Sequence, residues 1–126
     1  MMLDEFLNNE GFYVKVQKMH EKYQFYRKTR RDGSCFYRAF TFCILEHIYV
    51  KKDTELQKHM ITKMKGAKEM LIKAKYEGLV FEDILDIFVE KLNDPKIKGI
   101  DDVIALMCDP ELSNYLTLML RFITAG

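Results

Sequence analysis

The 126-residue sequence has few of the residues that cross-link or divide a chain. Its three cysteines, an odd number without regular spacing, predict neither a disulfide framework nor a zinc site. It has six glycines and two prolines, and no Pro/Gly/Ser-rich linker, repeat or low-complexity tract. We therefore expect a single domain over residues 1–126, without metal or cofactor and large enough to bury one core.

Long apolar runs are also missing from the sequence. No segment approaches the ~18 apolar residues of a membrane span, so a membrane is not an expected partner. The first residues, Met-Met-Leu-Asp-Glu, lack the basic and apolar stretches of a signal peptide. We expect a cytoplasmic or nuclear location, where a reducing environment preserves a reactive thiol.

The net charge is only +1, but lysines crowd onto one predicted helix. They are Lys58, Lys63, Lys65, Lys68, Lys73 and Lys75. Such a face is typical of a solvated helix, and no interleaved aromatic residues accompany it, so nucleic acid is not an expected partner. A helical nucleic-acid binder is the alternative, and it would require binding that weakens as salt is added.

Apolar periodicity predicts a chain that is almost entirely helical. The predicted helices cover about residues 3–8, 12–23, 35–50, 53–75, 81–92 and 110–125, with an extended segment at about 24–28 and a short helical turn after Asp101. Asp53 is expected to cap the long fourth helix. Asp109 followed by Pro110 is the pattern of an N-cap with proline at the first helical position.

The most informative segment is Asp32-Gly33-Ser34-Cys35, which a helical pattern follows at once. The three residues before the cysteine favour a tight turn whose backbone N–H groups face a concavity. The dipole of the following helix favours negative charge at its first turn, and therefore the thiolate of Cys35. The same N–H groups can hold an oxyanion, so this turn is predicted to carry a nucleophilic cysteine.

Downstream of Cys35, apolar residues form a stripe that is predicted to be the buried face of the same helix. The stripe consists of Phe36, Ala39, Phe40, Cys43, Ile44, His47 and Ile48. Cys43 lies within it and is expected to be a structural cysteine. Cys108 is expected to be structural as well, because a lone cysteine is more often structural than catalytic. Cys35 precedes the stripe and is the candidate nucleophile.

The segment around Cys35 resembles the active-site segment of the otubains, a branch of the ovarian-tumour-domain cysteine proteases that remove ubiquitin. The residues that carry the resemblance are Tyr26–Arg30 and Asp32–Phe40, and Leu112–Thr124 also resembles an otubain helix. The family usually has asparagine at the position of Ser34 and more often aspartate at the position of Asn114. The likeness runs from about residue 10 to the C-terminus.

The resemblance implies an α+β cysteine-protease fold, of which this chain covers mainly the helical N-terminal part and should look almost all α. It implies that Cys35 is the nucleophile and that Asp32, through its backbone position, helps to build the oxyanion hole. Gly33 and Ser34 belong to the same oxyanion loop. The implied partner is ubiquitin or polyubiquitin, with a ubiquitin-conjugating enzyme as a further candidate.

A thiol protease also needs a base, usually histidine, and the chain has only His20, His47 and His59. His47 lies twelve residues along the helix, about 18 Å from Cys35, which is too far for proton transfer. His59 is expected to be solvated, and His20 precedes Cys35 by fifteen residues. In the resembling family, the histidine and its acidic or amide partner lie on strands near the C-terminus of a domain about twice this length.

Three explanations suit a nucleophile without its base: the chain is the front portion of a longer enzyme, another chain completes it, or it is an interaction module that lost activity. The apolar stripe of the last helix stops at Ala125-Gly126 without a polar tail, which favours an incomplete domain. Our leading hypothesis is the N-terminal portion of an otubain-like deubiquitinase that is inactive by itself. The alternative is a non-catalytic module that binds ubiquitin or a conjugating enzyme.

Overall fold

A computed structural model describes residues 2–5, 7–73 and 79–125, and these residues form helices joined by short connections, without a strand. The helices are α1 Met2–Glu5, α2 Glu10–Lys22, α3 Cys35–Tyr49, α4 Thr54–Lys73, α5 Leu79–Leu92, α6 Ile100–Cys108 and α7 Pro110–Ala125. The segment between α2 and α3 has no regular secondary structure. The prediction of an almost entirely helical chain is therefore confirmed over the described residues.

Two helix starts follow directly from the local sequence. The Asp53 carboxylate accepts a hydrogen bond from the Leu56 N–H at 2.9 Å, ahead of α4. The Asp109 carboxylate accepts from the Leu112 N–H at 3.1 Å, with Pro110 as the first residue of α7. Each aspartate satisfies an N–H group that has no partner within its helix, so both predicted caps are confirmed.

The core lies between α3, α4, α5, α6 and α7, whereas α2 buries only Val16. The buried apolar residues are Ile44, Leu45, Ile48, Met64, Leu71, Ile84, Leu85, Phe88, Leu92, Ile97, Val103, Leu106, Leu116, Met119 and Leu120. Full burial of one such side chain stabilises the fold by about 1.5–3 kcal/mol before entropy is counted. The helices therefore close a core among themselves.

The prediction of the buried face of α3 was wrong in its first half. Phe36 and Phe40 are 67% and 45% exposed, and Cys43 is exposed as well. The buried residues of α3 are Arg38, Thr41, Ile44, Leu45 and Ile48. The hydropathy pattern missed this face because two of its members are polar, and they are buried because hydrogen bonds satisfy them.

The apolar stripe of α7, by contrast, lies where the sequence places it. Leu116, Met119 and Leu120 are buried, and Tyr115 and Ile123 are half-buried against the same core. α3, α5 and α6 pack against α7.

The lysine-rich face of α4 is solvated as predicted. Lys58, Lys63, Lys65 and Lys73 are exposed, Lys68 is half-buried and lies 3.8 Å from the Glu82 carboxylate, and Lys75 lies outside the described residues. Within the part of the chain that the structure describes, no helix combines the length and the apolar character needed to cross a membrane.

Candidate active site

The turn before α3 has the geometry that its sequence predicts. Gly33 adopts a φ of +74°, a left-handed conformation that glycine enters without a steric cost. The Ser34 N–H donates to Asp32 Oδ1 at 3.1 Å, which closes a turn through the side chain. The Ser34 carbonyl accepts from the Arg38 N–H at 3.0 Å and so begins the helix.

Cys35 is the first residue of α3, and it is exposed and free. At this position the N–H groups of the first helical turn have no acceptor within the helix, and the helix dipole favours an anion. A thiolate here, or an oxyanion formed beside it, would be stabilised by the same backbone groups. The arrangement suits attack of sulfur on a carbonyl carbon.

The Arg38 guanidinium holds the turn from within the fold. Arg38 is only 7% exposed, and it donates to Asp32 Oδ2 from Nε at 2.9 Å and from Nη2 at 2.5 Å. Its remaining donors reach α7, where Nη2 bonds Asn114 Oδ1 at 2.7 Å and Nη1 bonds the Ser113 hydroxyl. One buried cation thus joins the turn to the last helix.

The hydrogen bond from Arg38 lowers the pKa of the Asp32 carboxyl below its usual value, and the bond from the Ser34 N–H acts in the same direction. Asp32 is therefore ionised at neutral pH. Its negative charge lies three residues from Cys35 in sequence and is balanced by Arg38.

The sequence of the whole chain matches one protein family, described as Peptidase C65 Otubain, over residues 1–126. The chain belongs to the otubain family. The prediction of an otubain-like α+β fold, represented here by its helical N-terminal part, is confirmed to that extent. The segment that carried the resemblance is the turn and helix that present Cys35.

Curated relatives carry names consistent with this membership. Ubiquitin thioesterase OTUB1 of Homo sapiens is 33% identical over all of this chain and 46% of its own length. An Arabidopsis thaliana ovarian tumor domain-containing deubiquitinating enzyme is 30% identical over 89% of this chain. Ubiquitin thioesterase OTUB2 of Homo sapiens is 24% identical over 94% of it. The chain spans about half the length of these relatives, and a search of solved structures found no significant match.

Ser34, where otubains usually have asparagine, is 5% exposed in this otubain chain. Its hydroxyl accepts a hydrogen bond from Arg121 Nη1 on α7 at 3.4 Å. The side chain makes no capping bond to α3, so it contributes to the loop through this contact. The roles of Asp32, Gly33, Ser34 and Cys35 in catalysis stay predictions.

None of the three histidines belongs to the Asp32–Cys35 turn, since they lie on α2, α3 and α4. His20 and His59 are exposed on α2 and α4, and His47 is half-buried near the end of α3. The His47 ring nitrogen Nε2 is 3.3 Å from Lys51 Nζ, one turn further along the chain. The expectation of a solvated His59 is confirmed, and His47, a member of the predicted buried stripe, is half-buried.

An open cavity of about 610 Å³ lies between residues 25–30, α3, α6 and Ser113 of α7. Cys43 and Cys108 line it, and both are exposed, so the expectation that Cys43 is a buried structural cysteine was wrong. Arg27 covers part of the cavity, since its guanidinium lies 4.6 Å from the centre of the Phe42 ring and 3.7 Å from the Glu46 carboxylate.

Sequence reasoning missed the contribution of α7 to the site. Arg38 entered the sequence analysis only as a member of the segment Asp32–Phe40, whereas its guanidinium is bonded to Asp32 and to α7. Ser113 and Asn114 lie 75 and 76 residues further along the chain, so no local pattern could connect them to the turn. The likeness of both segments to the same family was the one available signal.

Proposed function

We propose that this chain carries the nucleophile of an otubain-type deubiquitinase, with Cys35 attacking ubiquitin isopeptide bonds. The observation that supports this best is the position of Cys35, exposed at the first residue of α3 and directly after a turn closed by Asp32. The names of the relatives, which are ubiquitin thioesterases and a deubiquitinating enzyme, agree with thiol chemistry on ubiquitin.

The proposed reaction begins when the Cys35 thiolate adds to the carbonyl that joins the ubiquitin C-terminal glycine to a lysine. The oxyanion that forms is held by N–H groups of the Asp32–Cys35 turn. The C–N bond then breaks, the lysine amine leaves with a proton, and a thioester remains on Cys35. Water hydrolyses the thioester, which releases the ubiquitin carboxylate and regenerates the thiol.

The proton for the leaving amine requires a base that returns as an acid. None of the three histidines in the sequence has the sequence pattern of that partner. We infer that the base comes from residues outside this sequence, as the comparison with relatives about twice as long suggests.

A ubiquitin probe with an electrophilic C-terminus tests the nucleophile without requiring the missing base. We expect a covalent adduct on Cys35 alone, located by peptide mass spectrometry. Cys35→Ala should abolish the adduct, whereas Cys43→Ser and Cys108→Ser, at the other exposed cysteines, should leave it unchanged. Labelling of Cys43 or Cys108 at an equal rate would contradict the assignment.

A non-catalytic module that binds ubiquitin or a conjugating enzyme is the second candidate. It is favoured because, among the described residues, none of His20, His47 and His59 has a hydrogen bond to Cys35, whereas an active thiol site needs a base within hydrogen-bond reach. Titration of unmodified ubiquitin and of a conjugating enzyme, followed by NMR chemical shifts, separates the two candidates. Binding without probe labelling of Cys35 would support the module and contradict the enzyme.

A further inference from the structure

Arg38 is the buried charged residue of the site, and its burial requires an explanation. Removing a guanidinium from water costs several kcal/mol unless partners satisfy its charge and its donors. Asp32 supplies the charge, while Ser113 and Asn114 supply neutral acceptors from α7. These partners belong to two segments that are otherwise remote in sequence.

The geometry links the shape of the turn to this guanidinium. The two carboxylate oxygens of Asp32 have different partners: Oδ1 accepts from the Ser34 N–H, and Oδ2 accepts from Arg38. A carboxylate held at both oxygens cannot rotate, so the backbone N–H groups before Cys35 stay where the side chain places them. The Arg121 contact to the Ser34 hydroxyl holds the same loop to α7 a second time.

We propose that Arg38 is a positioning residue that fastens the Cys35 turn to α7 and neutralises the Asp32 carboxylate beside the thiol. The proposal rests on the proposed function, since it takes Cys35 as the nucleophile. Its consequence is that the reactivity of Cys35 depends on the Arg38–Asp32 ion pair and on α7, neither of which includes the thiol.

The charged groups around the turn determine the sign of each expected effect. Asp32 carries a negative charge, and Arg38, Arg121 and the neighbouring Arg31 carry positive charges. Loss of Arg38 leaves Asp32 unbalanced and disfavours a thiolate nearby, whereas loss of the Asp32 charge leaves Arg38 unbalanced and favours it. A structural collapse would not produce opposite signs.

The test measures alkylation of each cysteine of the 126-residue chain by iodoacetamide across a pH series, read by mass spectrometry. Arg38→Gln should slow Cys35 at neutral pH by roughly three- to tenfold and move its pH profile upward. Asp32→Asn, which keeps the oxygen that accepts from Ser34, should speed Cys35 by a factor of about two or more. The Cys43 and Cys108 rates in the same molecules are internal references.

Arg31→Gln is the matched control, because this neighbouring arginine side chain is 88% exposed and pairs only loosely with Glu5 at 3.9 Å. It removes the same charge without touching the turn, and it should change the Cys35 rate by less than about twofold. An equal effect of Arg31→Gln and Arg38→Gln would overturn the proposal. A change of the same sign in Arg38→Gln and Asp32→Asn would overturn it too.

The link to α7 is tested through Asn114, which is exposed. Asn114→Ala should slow Cys35 by about twofold in the native background and have no further effect beside Arg38→Lys, since coupled residues are non-additive. Additive effects would overturn the link. If Arg38→Gln does not unfold cooperatively, Arg38→Lys is measured in its place. Cys35 should react more slowly in Arg38→Lys than in the native chain. If Cys35 is not the fastest thiol of the native chain, the proposed function fails instead.

Discussion

At the scale of single residues, Asp32 does more than its place in a tight turn suggests. It closes the turn with one oxygen and holds a buried guanidinium with the other. Sequence patterns identified the turn, because Asp-Gly-Ser is a local signal. They did not identify the guanidinium as its partner, since an arginine six residues later is equally compatible with a solvated helix position.

The lowered pKa of Asp32 predicts an acid-sensitive contribution to stability. The carboxyl has its ordinary pKa near 3.8 in the unfolded chain and a lower one when folded, so the contribution is present above 3.8 and is lost as pH falls through the folded value. Asp32→Asn should lower the melting temperature at pH 7, and the difference from the native chain should shrink as pH falls below 3.8 and vanish once pH lies below the folded pKa.

The control for this loss of stability in acid is Asp83→Asn, which changes an exposed aspartate of α5. Its melting temperature should follow that of the native chain at every pH, within the small range of surface substitutions. A gap between the native chain and Asp32→Asn that persists unchanged into acid would contradict the role of the ionised carboxylate.

At the scale of elements, α3 is a helix with two unlike faces. One face holds Leu45 in the core, and the other exposes Phe36 and Phe40, whose rings stack with centres 6.0 Å apart. The apolar stripe was assigned to the exposed face because phenylalanine is more apolar than threonine or arginine, so a count of apolar residues favours the face that carries Phe36 and Phe40. Arg38 is buried on the other face because Ser113 and Asn114 of α7 accept its hydrogen bonds, and Thr41 is buried there because its hydroxyl donates to the Tyr37 carbonyl of the same helix.

Alanine substitutions on the two faces of α3 should therefore differ in cost. Leu45→Ala removes a side chain that is 1% exposed and should lower the free energy of unfolding by about 2–5 kcal/mol. Phe40→Ala, the control on the other face, should cost less than about 1 kcal/mol although it deletes a larger side chain. Urea denaturation measures both, and similar costs would mean that the exposed rings are buried in solution.

The Tyr49 hydroxyl joins the end of α3 to the end of α5. It donates to the Lys91 carbonyl and accepts from the Asp94 N–H at 3.2 Å. Tyr49→Phe leaves two half-buried backbone groups without this partner and should cost about 1–3 kcal/mol of unfolding free energy.

Tyr115→Phe is the matched control for Tyr49→Phe. The Tyr115 hydroxyl donates a surface hydrogen bond to the Glu111 carboxylate at 3.4 Å and makes no other hydrogen bond within the described residues, so its removal should change unfolding free energy by less than about 0.5 kcal/mol. Chemical denaturation of the two variants side by side decides whether the Tyr49 bridge stabilises the junction.

At the scale of the whole molecule, α3 to α7 bury a common core, and several large apolar side chains are still exposed. Phe25 is 87% exposed beside the open cavity, and Phe36 is 67% exposed at the start of α3. Both flank the segment that carries Cys35. Patches of this kind promote contact with other polypeptide surfaces.

For the whole chain we expect little or no hydrolysis of ubiquitin chains by these 126 residues alone. The nucleophile and the base act together, so the hydrolysis rate falls by several orders of magnitude when the base is absent. A gel assay with linkage-defined ubiquitin dimers measures this, with Cys35→Ala as the blank. Substantial cleavage that Cys35→Ala abolishes would contradict the expectation and point to His20, His47 or His59.

The sequence by itself determined the helices, their caps at Asp53 and Asp109, and the turn that presents Cys35. Each depends on contacts between residues a few positions apart, which a local pattern records. Only the tertiary structure decided which face of α3 is buried, which partners Arg38 takes and how α7 holds the turn. Those outcomes depend on side chains about 75 residues apart, and the Arg38 guanidinium is buried because such remote partners join Asp32 in satisfying it.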